Sequence, residues 1–217
     1  MEKDYFRETK ENLEKKIPSY DSDKFGKIRS QIRKKLQERE ADFYVLLRNL
    51  KVLVLGDWYT KEKKQLLHSV KNHLLKNGVY AETIDKYYDT EKKGGLSQLQ
   101  VLETCCISHQ LIVFIDGDGK GTVTEQNYLS ENYVFQGKII FFIEQRKFDK
   151  LKANPSEYIK CFPAIYPYTS SELLDKILIY SNLRLYRLAE IIEHQNRTKK
   201  GLKRQNYTSW RTRLKNS

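Results

Sequence analysis

Apolar positions follow two rhythms along the chain. Over the first fifty residues they recur at helical spacing. Phe25, Ile28, Ile32, Leu36, Phe43, Leu46 and Leu50 lie three, four or seven apart and line one face. Asp21-Ser22-Asp23 offers N-cap candidates just ahead of that run, and Pro18 separates it from a charged helix expected around 3–16. From residue 51 short, continuous apolar runs alternate with amphipathic stretches. The runs are Lys51 to Gly56, Val79 to Asp85, Gln110 to Ile115, Lys138 to Ile143 and Phe162 to Tyr166. Between them, helices are predicted over 60–77 (Thr60 as cap, Gly78 as stop), 97–108 and 122–136.

Strands that alternate with helices, and that are apolar throughout, belong in a parallel sheet covered on both faces. The expected fold is α/β: a five-stranded parallel, doubly wound sheet of flavodoxin-like topology, with an N-terminal helical segment and a long C-terminal helix. The boundaries follow as 1–50 (helical segment), 51–168 (α/β, nucleotide-binding-like core), 169–196 (long helix packed on the core) and 197–217 (basic flexible tail). In the helix expected over 170–195, Leu174, Leu178, Ser181, Leu185, Leu188 and Ile192 keep a 4-3-4-3-4 spacing. Such a seam suits either the N-terminal helix of the same chain or a second copy in a homodimer.

Charge alters this picture at one end only. The 217 residues carry a formal net charge of +12, yet residues 197–217 hold eight Lys and Arg and no acid. With Tyr207 and Trp210 interleaved, that tail suits phosphate neutralisation and base stacking on a nucleic acid, or simple solvation. The opening residues carry both signs without an apolar stretch, and the longest apolar run, Leu111 to Ile115, is far short of a membrane span. With three cysteines, two of them adjacent, there is neither a disulfide framework nor a zinc spacing. A cytoplasmic protein off the membrane is expected, with no cofactor implied.

Ligands of open parallel sheets bind beyond the carboxyl ends of the strands, near the switch in strand order. Strand one runs into Gly56, Asp57, Trp58 and Tyr59, and strand two into Asp85. Strand three runs into Asp116-Gly117-Asp118-Gly119-Lys120-Gly121-Thr122-Val123-Thr124-Glu125. Three closely spaced glycines permit tight turning and close approach to a ligand. A helix starting near Thr122 would aim its free N–H groups at the same spot, with Lys120 adding positive charge for a phosphate. Thr122 and Glu125 also match a capping box, which would use the Glu125 carboxylate structurally.

Asp116, Gly121-Thr122, Glu125 and Gly137-Lys138-Ile139-Ile140, in a strand–loop–helix–strand setting, resemble the nucleoside 2-deoxyribosyltransferase-like group, related to TIR-type NAD-cleaving domains. The loop is also similar to the Gly-Gly-x-Gly-Thr-x-x-Glu signature of the lysine-decarboxylase-like nucleotide phosphoribohydrolases, with Asp118 at one of its glycines. The resemblance implies cleavage or transfer at an N-glycosidic bond of a nucleoside, nucleotide or NAD-like molecule. Glu125 would stabilise or trap the oxocarbenium-like sugar. Asp116, Asp85 or Asp57 would hold sugar hydroxyls or protonate the leaving base. Gly119, Lys120, Gly121 and Thr122 would receive a phosphate, and Trp58 or Tyr59 would stack on the base.

Two other function classes use the same residues. Asp116 and Asp118, with Glu125, suit a magnesium site for nucleic-acid chemistry. A non-catalytic nucleotide- or protein-binding module also fits the scaffold. His68 and His73, five apart, do not share a metal-binding helix face and are expected at the surface. His109 is expected to be a helix-end residue, and Cys105 and Cys106 are expected to be buried.

Overall fold

A computed structural model of the chain describes residues 23–91, 94–153, 162 and 164–204. The chain divides between Tyr44 and Val45 into two units, and helix α1 (Asp23–Arg48) crosses that division. Within the first unit Ile28, Ile32 and Leu36 are exposed and Phe43 is half-buried. The helix expected around 3–16 lies outside the described residues.

The second unit is the sheet domain. Its elements are β1 (Lys51–Leu55), α2 (Lys61–Lys76), β2 (Tyr80–Thr83), α3 (Asp85–Glu91), α4 (Gln98–Ser108), β3 (Leu111–Ile115), α5 (Lys120–Glu131), α6 (Tyr133–Gln136), β4 (Ile139–Glu144), α7 (Gln145–Ala153), β5 (Ile165–Tyr168) and α8 (Leu173–Arg204). All five strands are parallel, in the order β2-β1-β3-β4-β5. This is the flavodoxin-like order, and its switch point falls between β1 and β3.

Period-two alternation sends successive strand residues to opposite faces. Leu53, Leu55, Ile112, Phe114, Ile139 and Phe141 form a core with Leu102, Cys105 and Cys106 of α4, Leu129 of α5 and Phe135 of α6. Phe141 stacks on Phe114 (5.4 Å between centroids) and on Phe162 (5.0 Å). On the other face, α2 brings Leu67, Val70 and Leu74, and α8 packs against α2 and β3. Both cysteines are buried, as their apolar setting suggests.

Several boundaries differ from the sequence reading. The predicted helix 122–136 starts two residues earlier and is interrupted at Asn132, whose side chain accepts from the Val134 N–H and caps a separate short helix. Strand five begins at Ile165 rather than Phe162. It tolerates Pro167 because β5 is an edge strand. The deepest stripe of α8 is Leu173, Ile177, Ser181, Leu185 and Ala189, while Leu174, Leu178, Leu188 and Ile192 of the expected seam are only half-buried. A helix lying on a sheet buries a broader stripe than a coiled-coil seam does. Helix α8 runs to Arg204, so residues 197–204 of the basic segment are helical. Tyr207 and Trp210 lie outside the described residues.

His109 is the helix-end residue expected, the C-cap of α4, and it is fully buried. Its Nδ1 lies 2.7 Å from the Cys105 carbonyl, which can only accept, so Nδ1–H donates there. Nearby Glu82 on β2 is buried but well satisfied by Lys86, Tyr80 and Tyr87. Burial opposes its ionisation, yet these partners outweigh it and bring the pKa down to about 2. Among the described residues no helix is long and apolar enough to cross a membrane.

Phe141 is fully buried between two stacked rings. Phe141→Ala is expected to cost about 3–5 kcal/mol, read as a shift of the urea unfolding midpoint at unchanged slope.

Candidate functional site

The carboxyl ends of β1, β2 and β3 open into a cleft of about 990 Å³, a volume suited to a nucleotide-sized ligand. Of the residues singled out in the sequence, Asp57, Trp58, Tyr59, Asp85, Asp118, Gly119, Lys120, Gly121, Thr122 and Glu125 all line it. Gly56, Lys63, Lys64, Tyr88 and Gln98 complete the lining. Gly56 lets β1 end hard against β3. A Cβ there would stand 2.8 Å from the Ile115 carbonyl oxygen and 2.9 Å from Leu67 Cδ2.

Asp57 is the structural centre of the cleft floor. It is 5% exposed, and its Oδ1 accepts from the Tyr59 N–H (2.9 Å). Its Oδ2 accepts from the Lys63 ammonium (2.6 Å) and from the Gly119 N–H (3.2 Å). Burial pushes against ionisation, but the ammonium and the two amides outweigh it and hold this carboxyl below its ordinary pKa.

The same carboxylate explains two of the three loop glycines. A Cβ on Gly117 would sit 2.4 Å from the Asp57 Cβ, and one on Gly119 would sit 2.7 Å from Asp57 Oδ1. These glycines therefore make room for Asp57, whereas the sequence reading assigned them to ligand approach. Gly121 has open space around it and faces the cleft.

The capping-box reading is overturned. Helix α5 begins at Lys120 with Gly119 as N-cap and no side-chain cap. Thr122 is therefore an internal first-turn residue, buried at 4% exposure, and Glu125 moves to the second turn. The chain reaches the helix through the Asp57–Gly119 bond, so no hydroxyl is needed to start it.

Freed from capping, Glu125 faces the cleft with its Oε2 buried and without a hydrogen-bond partner. Burial, and secondarily the Asp57 charge, raise its pKa to about 8. Burial together with the neighbouring Glu125 and Cys105 also raises the Tyr88 phenol to about 12. Two further buried polar atoms of cleft-lining residues lack partners: Trp58 Nε1 and Asp85 Oδ1.

Asp116 does not join them. Its carboxylate accepts from Gln126 Nε2 (2.8 Å) and from Lys147 Nζ (2.9 Å), on the side toward α7. Lys147 also donates to Asp118 (2.6 Å), so one ammonium sits against both members of the proposed magnesium pair. This pairing lowers the Asp118 pKa. The positive charge that a divalent cation would bring is already supplied. Among the described residues no group of three or more His, Cys, Asp or Glu is placed to hold a metal ion.

Sequence reasoning passed over Lys63, Lys64 and Gln98, gave Tyr88 at the end of strand two no role, and placed His68 at the surface. Lys63, Lys64 and Gln98 belong to the first turns of α2 and α4, and Tyr88 to short α3, all at the rim where helices start above strand ends. That position is the signal that could have found them. Lys64 and Lys120 have no carboxylate partner among the described residues and give the cleft positive charge. His68 and His73, expected at the surface, are half-buried. His73 Nε2 lies 3.9 Å from Asp175 of α8. His68 packs edge-on against Trp58 (5.5 Å) and places Nε2 3.6 Å from Asp85 Oδ2.

The raised pKa of Glu125 has a signed consequence. The native state holds its proton up to about pH 8, while the unfolded chain releases it near the ordinary value of 4.5. Native stability is therefore lost as pH climbs through that window. Glu125→Gln, which keeps the shape and removes the titration, is expected to equal the parent near pH 4. At pH 8.5 it is expected to exceed it by about 2–4 kcal/mol, measured by urea unfolding across the range.

No protein-family model matches the chain, and no curated protein is detectably similar to it in sequence.

Proposed function

We propose that the cleft binds a nucleoside or nucleotide and that Glu125 acts on its N-glycosidic bond, by hydrolysis or by transfer to a second base. The observation that carries this reading is the Glu125 carboxyl group, whose Oε2 is buried without a partner in a cleft at the sheet's switch point and whose pKa burial raises to about 8. A general acid working near pH 7 needs a pKa in this range.

The chemistry then balances on one side chain. As the C1′–N bond breaks, its electron pair goes to the base nitrogen, which takes the Glu125 proton. The carboxylate left behind faces a developing oxocarbenium ion and stabilises it electrostatically. Water, or the nitrogen of an incoming base, forms the new bond at C1′ and returns its proton to Glu125. Asp57 takes no proton in this scheme, because three donors already hold it ionised. Its fixed charge adds to burial in keeping Glu125 protonated until the leaving group needs that proton. Tyr59, 88% exposed at the rim, offers a free ring face for the base, and Lys64 and Lys120 suit a 5′-phosphate.

The test is base release from nucleosides, nucleoside monophosphates and NAD, followed by chromatography. With nucleosides and nucleoside monophosphates, whose leaving base takes the proton, the parent is expected to release base at a rate that falls above about pH 8 as Glu125 ionises, whereas nicotinamide leaves NAD as a neutral base and needs no proton. Glu125→Gln should lose about 10²–10⁴-fold in rate. Release unchanged in the variant would remove Glu125 from the chemistry. Nucleotide binding with no release from any substrate would leave a binding module instead.

A further inference from the structure

We infer that the chain pairs with a second copy of itself through the outer face of α8, the two helices running antiparallel about a two-fold axis between Leu183 and Tyr186. The face is a different stripe from the seam of Leu174, Leu178, Leu188 and Ile192 that the sequence suggested for a homodimer, and the inference is independent of what the cleft binds.

Exposure defines the face. Helix α8 buries Leu173, Ile177, Ser181, Leu185 and Ala189 within its own domain. Ile179 is 55% exposed, Leu183 62% and Tyr186 43%. At roughly 100° per residue these three fall in one stripe on the side opposite the buried set. Apolar side chains scattered singly over a surface mean little, whereas a contiguous row on one helix face marks a contact surface. Glu172 and Asp175 extend the stripe at one end, and Glu190, His194 and Arg197 extend it at the other, all of them exposed. Glu172 precedes α8, but its carbonyl accepts from the Lys176 N–H, so it already follows the helical path.

The order of the stripe selects the occupant. Positions 172, 175, 179, 183, 186, 190, 194 and 197 are spaced 3-4-4-3-4-4-3, which reads the same in both directions. The chemistry does not: the first two positions are acidic, and the last two are His and Arg. In a two-fold contact residue i meets j while j meets i. Turning a second copy end for end therefore sets Glu172 level with Arg197, Asp175 with His194 and Leu183 with Tyr186, each pair occurring twice. A parallel arrangement would set Glu172 on Glu172 and Arg197 on Arg197. The present partners of the end charges do not stand in the way. Glu172 meets Lys176 at 2.7 Å and Arg197 meets Glu193, both i,i+4 pairs that reach solvent and contribute little. The one mismatched level sets Ile179 against Glu190, which keeps the association weak.

The test is sedimentation equilibrium of the full chain at low salt, with each variant checked for a native circular-dichroism spectrum. The parent is expected to show a monomer–dimer equilibrium with a Kd of about 1–100 µM, the range of a small interface. Leu183→Glu changes an exposed side chain at the two-fold and should weaken the dimer about 10-fold or more. Glu190→Leu removes the mismatched carboxylate and should tighten it by about 10-fold. Glu172→Arg should weaken it about two- to fivefold, and adding Arg197→Glu should restore it, because the double exchange swaps the two ends of one pair. A parent that stays monomeric, or a dimer indifferent to Leu183→Glu, overturns the inference. A single exchange without loss, or a double exchange without recovery, overturns the antiparallel register. A monomeric parent that loses stability to urea on Leu183→Glu also overturns it and places a segment of the same chain on this face.

Discussion

The geometry of the strand ends depends on where one buried charge goes. Asp57 is placed at the switch point by β1 and cannot reach open water, so its ionised form survives only by collecting donors. It takes one from Tyr59 on its own strand end, one from Gly119 on the loop after β3, and the ammonium of Lys63 from the first turn of α2. The end of β1, the start of α2 and the sequence-distant loop after β3 are thereby fixed against each other. The loop must come close enough to lend its amide, which is why positions 117 and 119 have no room for a Cβ. Removing any donor would leave a buried carboxylate short of compensation, and such groups are costly to strand.

From this anchor an alternating series of charges runs along the cleft edge. Asp57 meets Lys63, which approaches Asp118 at 4.0 Å, and Asp118 meets Lys147, which meets Asp116. Its members differ in burial, so they differ in worth. The exposed Asp118 end contributes little through any single pair, while the Asp57 end is shielded and strong. The series also consumes every loop carboxylate that could have held a cation. What remains without counter-charge is Glu125, one helical turn further on.

The sheet was legible in the sequence because its strands are continuous apolar runs, and a parallel sheet with both faces covered demands that pattern. The least legible strand, β5, is the one at the edge, where Pro167 and half-buried Ile165 and Tyr166 weaken the apolar signal. The place of the cleft was legible too, since it needed only strand order and the residues after each strand. The roles were not. Asp116 follows β3 immediately and looked central, but Lys147 and Gln126, far along the chain, hold it on the α7 side. Thr122 and Glu125 match a capping box letter for letter, yet the helix starts before them because Gly119 is tethered by Asp57. His68 looked inert because its spacing to His73 suits no metal, and only the fold reveals its neighbours Trp58 and Asp85.

Three carboxyl groups of the cleft thus carry three different histories of hydrogen bonding. Asp57 is saturated with donors and stays ionised. Glu125 is buried with an unmatched oxygen and keeps its proton at neutral pH. Asp85 is approached by a histidine and left with capacity to spare. Residue type cannot separate such cases, because an acid's role follows from how many donors reach it and how much water is excluded. Those two quantities are set here by backbone amides and lysines from other elements. The chemistry of the cleft is therefore a property of the assembled strand ends rather than of the loop motif, and the stability that Glu125 forfeits above its unfolded pKa is a cost an ordinary core position would not retain.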